Sequence, residues 1–210
     1  MLIELLFVNP IFYLMVAISI LLGFGIHEYS HAQVAYFLGD PTAKYAGRLT
    51  INPLAHFDPF GTLLIFIIGI GWGKPVPFNP YNLRNQKWGE ALVGLAGPAS
   101  NFLNALIVGL LLRFLEISNP ALLAFFSVFV WINPILGVFN LIPIPPLDGS
   151  HIFLTILPST FEKVKLLLQT SPFLVLFALF LCLISDFLIY VDHFFTSLRG
   201  HLHHFDFEKC

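Results

Sequence analysis

The sequence predicts an all-α polytopic membrane protein, and three observations carry that expectation. Of 210 residues, 57% are hydrophobic and only 10% charged, whereas a soluble domain is roughly one quarter charged. The mean hydropathy is +0.84. The apolar residues are gathered into uncharged intervals, and those at 5–26, 91–112, 117–147 and 166–185 each reach the roughly 20 residues that cross a hydrocarbon core.

The interval 5–26 is the first span. "MLIELLFVNP" has no basic n-region and no small-residue cleavage site, so it does not read as a removable signal and the span is expected to remain in the mature protein. Next, "KYAGRLTI" sets Tyr45, Gly47, Leu49 and Ile51 against Lys44, Ala46, Arg48 and Thr50, the period-2 pattern of a half-exposed strand. "GKPVPFNP", with Pro75, Pro77 and Pro80, suits an extended edge segment that cannot donate to a ladder. Together they predict a small β hairpin near the cytoplasmic face, with an ordinary connecting loop as the alternative. Between them lies the interval 59–73, whose 15 residues include Gly61, Gly69, Gly71 and Gly73. As a helix it would be only about 22 Å long, which predicts a short re-entrant or surface segment. The intervals 91–112, 117–147 and 166–185 follow as further spans. Residues 1–195 read as one integral-membrane domain and 196–210 as a solvated tail carrying His201, His203 and His204.

If 59–73 does not cross, one side of the membrane holds Lys44, Arg48, Lys74, Arg84, Lys87, Lys163 and Lys165. The other holds Arg113, Arg199 and Lys209. The excess of positive residues places the first group in the cytoplasm and the N-terminus outside. The net charge of −2, with ten basic residues spread along the chain, leaves no patch for nucleic acid. Cys182 and Cys210 have no spacing that suggests a disulfide or a zinc ribbon.

"GFGIHEYSHA" carries polar groups into the first span. His27 and His31 are four apart and share a helix face, with Glu28 beside the first. In an H-E-x-x-H arrangement the two imidazoles ligate zinc while the glutamate is placed to take a proton from the attacking water. A chance pentapeptide or a polar interface cluster is the alternative. An ionisable group at the centre of a span costs roughly 2.5–3.5 kcal/mol on insertion scales and is functional by default, which favours the metal. Two histidines do not complete a tetrahedral site, so a third protein ligand is needed. Asp148 in "FNLIPIPPLDG" is the candidate, because it ends a long uncharged interval that runs in the same direction as the first span. Pro143, Pro145 and Pro146 forbid a regular helix there, and Gly149 permits the turn that would bring Asp148 back to the histidines. A plain exit loop is the alternative reading of "PIPPLDG". If 59–73 crossed fully, Asp148 would emerge on the face opposite His31.

"HEYSH" at 27–31, "GPASN" at 97–101 and "FNLIPIPPLDG" at 139–149, in that order on successive spans, resemble the site-2 protease family of intramembrane zinc metalloproteases. The length and the stretches "AGRLTINPLAHFDPFGT" and "GWGKPVPFNP" are most similar to its compact prokaryotic branch without a PDZ domain. The resemblance implies a three-helix catalytic core plus a further span. It implies one zinc ion on His27, His31 and Asp148, with Glu28 as the base. The substrates it implies are transmembrane helices of other proteins. The eight residues from His31 to the polar Gly39–Asp40 end make about 12 Å of helix, so the site is expected inside the bilayer of the cell membrane, nearer the cytoplasmic face. Asn101 and Asn140 match polar positions of the second and third motifs, and either could hold substrate backbone or donate to the oxyanion. Helix–helix contact is the plainer role for them, as for Asn104 and Asn133. Of other polar residues near the proposed site, His56 and Asp58 fit a turn before "PFGT", and His151, three after Asp148, could support that ligand from behind. The strand at 44–51 would offer an edge for unwound substrate. A non-proteolytic zinc-binding membrane protein, a transporter or a helix-binding relative, is the alternative function.

Overall fold

The computed structural model describes residues 2–68 and 71–170. Eight α-helices lie in that part: α1 (Leu2–Val8), α2 (Pro10–Phe37), α3 (Thr42–Tyr45), α4 (Pro59–Ile68), α5 (Gln86–Phe114), α6 (Pro120–Asn140), α7 (Gly149–Ile156) and α8 (Glu162–Thr170). Helices α2, α5 and α6 are long and apolar enough to cross a membrane, and they pack pairwise on one another. The described residues are therefore all-helical, and the protein is a membrane protein. The expected span at 166–185 and the tail at 196–210 fall mostly or wholly outside the described residues.

Each long helix starts where the sequence supplies a cap. Asn9, Asn85 and Asn119 accept from Phe12, Trp88 and Ala121 backbone N–H groups at 3.0, 3.0 and 2.9 Å, satisfying donors with no partner inside the helix. Pro10 and Pro120 occupy first-turn positions, where their missing N–H costs nothing. Asn9 also breaks the first apolar interval into α1 and α2, since the residue before a proline avoids the helical region.

The bundle is held by close approach. Lipid provides no hydrophobic drive between helices, so small residues that let backbones meet take its place. A Cβ on Gly137 of α6 would stand 3.3 Å from Pro98 O of α5, and one on Gly23 of α2 would stand 3.1 Å from Asn133 Oδ1 of α6. Ala17, Ala32 and Ala35 of α2 are buried. Large side chains on the outer faces, including Leu14, Leu106, Trp131 and Val138, are exposed, as a lipid-facing surface requires.

The predicted β hairpin is absent: no strand occurs among the described residues. Residues 42–45 form α3, followed by a turn at Gly47 with φ +69°. The alternation misled because its burial is inverted, Tyr45 being 82% exposed and Arg48 only 5%. Local signals prevail over the alternation. Asp40 Oδ1 accepts from Thr42 N and Oγ1 at 3.1 and 2.5 Å, starting the turn, and Gly47 supplies the left-handed end. Arg48 Nη2 donates to Lys74 O, and to Pro75 O at 3.4 Å. A side chain thus takes the carbonyls that a neighbouring strand would have used, and the edge expected for substrate does not form.

The segment 59–73 is short, as expected. Helix α4 has 10 residues, about 15 Å, half of a hydrocarbon core. Asp58 Oδ1 caps it by accepting from Phe60 and Gly61 N–H at 3.1 and 2.8 Å, which accounts for that residue. Asp40 Oδ2 accepts from Asn79 N at 2.6 Å and Oδ1 from Asn82 Nδ2 at 2.9 Å. Asp40 is fully buried and ties the end of α2 to the segment that leads into α5. Of two compact units, residues 1–143 with 147–161 form the one containing these contacts; the other, 144–146 with the chain from 162, contains α8.

Candidate metal centre

Helix α2 carries His27, Glu28 and His31 on consecutive turns, all buried. Helix α6 ends at Asn140, and the proline-rich stretch after it leads to Asp148, immediately before α7. Asp148 Oδ2 lies 2.9 Å from His27 Nε2 and 3.2 Å from His31 Nε2. The two Nε2 atoms are 3.0 Å apart. Ligand atoms of all three residues lie within 4.8 Å of one another, the group among the described residues that could hold a metal ion.

The far nitrogen of each ring fixes its chemistry. His31 Nδ1 faces Val93 O at 2.6 Å, and His27 Nδ1 faces Asn101 Oδ1 at 2.6 Å. Both partners are oxygens that can only accept, so each Nδ1 carries the proton and donates. In the neutral rings both Nε2 atoms then present lone pairs. With the Asp148 carboxylate, three acceptors converge on one point, an arrangement that a divalent cation satisfies. Consistently, Asp148 Oδ2 is buried without a donor. Two neutral imidazoles and a carboxylate also form a donor set suited to zinc in a site that keeps one position for water.

Space for that cation is left by Gly97 of α5, since a Cβ there would meet the Nε2 atoms of both histidines. Pro98 follows within the helix. It cannot donate to Gly94 O one turn earlier; the carbonyl before that, Val93 O, accepts from His31 Nδ1. A Cβ on Gly94 would meet His151 and, at 2.9 Å, Asp148 O, so α7 lies directly on α5.

The other expected residues separate clearly. Asn101 is fully buried and joined to His27. Asn140 is half-buried and donates to Leu136 O at 2.9 Å, within its own helix. His151 packs edge-on against Phe78 at 5.6 Å; burial pushes its pKa down, partly opposed by Asp148 and Glu90. His56 donates from Nε2 to Thr50 O at 2.9 Å and is fully buried. The tail histidines are outside the described residues. The sequence reading missed Val93, whose part is played by a carbonyl that every residue has, and took Gly97 only as part of the "GPASN" stretch.

Comparison with known proteins agrees with this geometry. The family model for peptidase family M50 matches residues 115–184. YwhC of Bacillus subtilis, provisionally named a zinc metalloprotease, is 37% identical over 181 residues, covering 82% of this chain and 83% of its own. Rip2 of Mycolicibacterium smegmatis, also provisionally named a zinc metalloprotease, is 31% identical over 68% of this chain and 58% of its own. Zinc metalloprotease MJ0392 of Methanocaldococcus jannaschii is 26% identical over 75% of this chain and 38% of its own. No solved structure matches.

Proposed function

The chain belongs to the site-2 protease family, peptidase family M50, and on that premise we propose that it hydrolyses peptide bonds in or near the transmembrane segments of other membrane proteins. The observation that supports this most is the convergence of His27, His31 and Asp148 within a bundle of membrane-crossing helices. His31 stands six residues before the end of α2 at Phe37, about 9 Å of helix, which supports a centre inside the bilayer near one face. The basic residues of the adjoining loops favour the cytoplasm for that face.

His27, His31 and Asp148 would hold the ion, and zinc there would supply Lewis-acid activation of water and of the scissile carbonyl. Glu28, next in chain to His27, takes the proton of the attacking water and returns it to the leaving amine. Val93 O and Asn101 Oδ1 keep the imidazole protons on the nitrogens away from the ion. Asn140, beside the Asp148 loop, donates to the oxyanion. The substrate helix must unwind first, because its carbonyls are otherwise held in its own hydrogen bonds.

Replacing Glu28 by Gln removes the base and leaves the three ligands. The purified Glu28→Gln protein should retain zinc and cleave a model transmembrane substrate about 10²–10⁴-fold more slowly. Cleavage at the wild-type rate would refute the assignment.

A further inference from the structure

Asn133 of α6 is fully buried, and its amide stands in a chain of hydrogen bonds that ends on the ring of His27. The sense of that chain is set by a backbone carbonyl. Phe129 O, one turn earlier in α6, can only accept, so the group it meets at 2.9 Å is Asn133 Nδ2 and the Asn133 oxygen faces the other way. That oxygen accepts from Asn101 Nδ2 at 3.0 Å and from Asn104 Nδ2 at 3.4 Å. Asn101 Nδ2 also donates to Gly23 O at 3.3 Å. Both its hydrogens are engaged, and Asn101 Oδ1 is left 2.6 Å from His27 Nδ1.

An amide has unlike ends. Turned over, Asn101 would present an N–H to His27 Nδ1, which would then have to accept. The ring proton would move to Nε2, the atom that faces His31 and Asp148. A protonated Nε2 has no lone pair for a metal ion.

We propose that Asn133 is a positioning residue for the metal centre, holding the Asn101 amide in the sense that keeps the His27 proton on Nδ1. The contact links α6 to a ligand on α2 through α5, so the assembly of the three helices and the tautomer of the ligand are set together. The proposal rests on the metal reading of His27, His31 and Asp148. If Asn133 served only to join helices, its loss would act alike whatever residue stood at 101.

The test uses a carboxylate, whose two oxygens are alike. Asn101→Asp accepts from His27 Nδ1 in either orientation and has no need of Asn133. The full chain, purified in detergent, is compared as wild type, Asn133→Leu, Asn101→Asp and the double variant. Each is loaded with Co²⁺, and the visible absorption of the bound ion is followed during chelator titration. Asn133→Leu should weaken metal binding about tenfold, the lower end for an outer partner of a ligand, because Gly23 O still holds Asn101. In the Asn101→Asp background the same substitution should not weaken it. Equal weakening in both backgrounds, or none in the wild-type background, overturns the proposal while the metal reading stands. A wild-type chain that takes up neither Co²⁺ nor Zn²⁺ overturns both. Should Asn133→Leu fail to accumulate folded, Asn133→Ala completes the same cycle.

Discussion

His27 and His31 face each other through bare nitrogens: their Nε2 atoms are 3.0 Å apart, while both ring protons are held on the far side by Asn101 Oδ1 and Val93 O. Such lone pairs repel, and Asp148 Oδ2 adds a negative charge to the same point. A divalent cation satisfies all three acceptors at once. Chelation should lower the thermal midpoint of the detergent-purified protein. Restoring zinc to about a hundred times its dissociation constant should stabilise it by about 2.7 kcal/mol. In Asp148→Ala the midpoint should no longer respond to zinc. A response of wild-type size in that variant would show that Asp148 is not a ligand.

Gly97 is the second place where the centre is vulnerable. Its missing side chain leaves the space used by both Nε2 atoms, and an added Cβ would overlap them. Alanine is otherwise a better helix residue than glycine by about 1 kcal/mol. Gly97→Ala should therefore lose zinc without losing helix content. Metal analysis and circular dichroism on the same sample separate the two effects, and full zinc occupancy in Gly97→Ala would contradict the geometry.

The convergence of His27, His31 and Asp148 was legible because each of the three breaks a local pattern. His27 and His31 interrupt an apolar helix at a spacing of one turn, and Asp148 ends a long uncharged interval after three prolines. The hairpin was misread for the opposite reason. Residues 44–51 follow a pattern that strands use, but the decisive contact is the burial of Arg48 on the carbonyls of Lys74 and Pro75, which no periodicity encodes. Asn101 and Asn133 were visible as amides in apolar spans. That one orients the other depends on which faces of α5 and α6 meet, a property of packing and not of spacing.

Asp40 offers a prediction outside the membrane-crossing helices. Burial would raise its pKa, but hydrogen bonds from Thr42, Asn82 and Asn79 outweigh this and hold it below the ordinary carboxylate value. A folded-state pKa below the unfolded one means that its contribution is fully present above about pH 4 and is lost as pH falls through the folded value. Stability should thus be flat in this contribution near neutrality and decline in acid. Asp40→Ala leaves the half-buried Asn79 N–H without its acceptor, which should cost about 1–3 kcal/mol and remove that part of the acid dependence. An unchanged acid limb in Asp40→Ala would show that another group controls it.

Asn101 and Asn140 answer to different measurements. Asn101 Nδ2 spends its hydrogens on Asn133 and Gly23, so it has no donor left for a developing oxyanion, and its oxygen is bound to His27. Asn140 Nδ2 gives one hydrogen to Leu136 O and has a second uncommitted among the described residues, in a half-buried position beside the loop that carries Asp148. Asn101→Leu should weaken metal binding, with slower cleavage following from that loss and recovering in excess zinc. Asn140→Leu should keep wild-type metal affinity and lower kcat about 10²–10³-fold, as removal of one oxyanion donor does, with no recovery in excess zinc. The two phenotypes exchange if the roles do. Wild-type kcat in Asn140→Leu would leave the oxyanion to groups other than this amide.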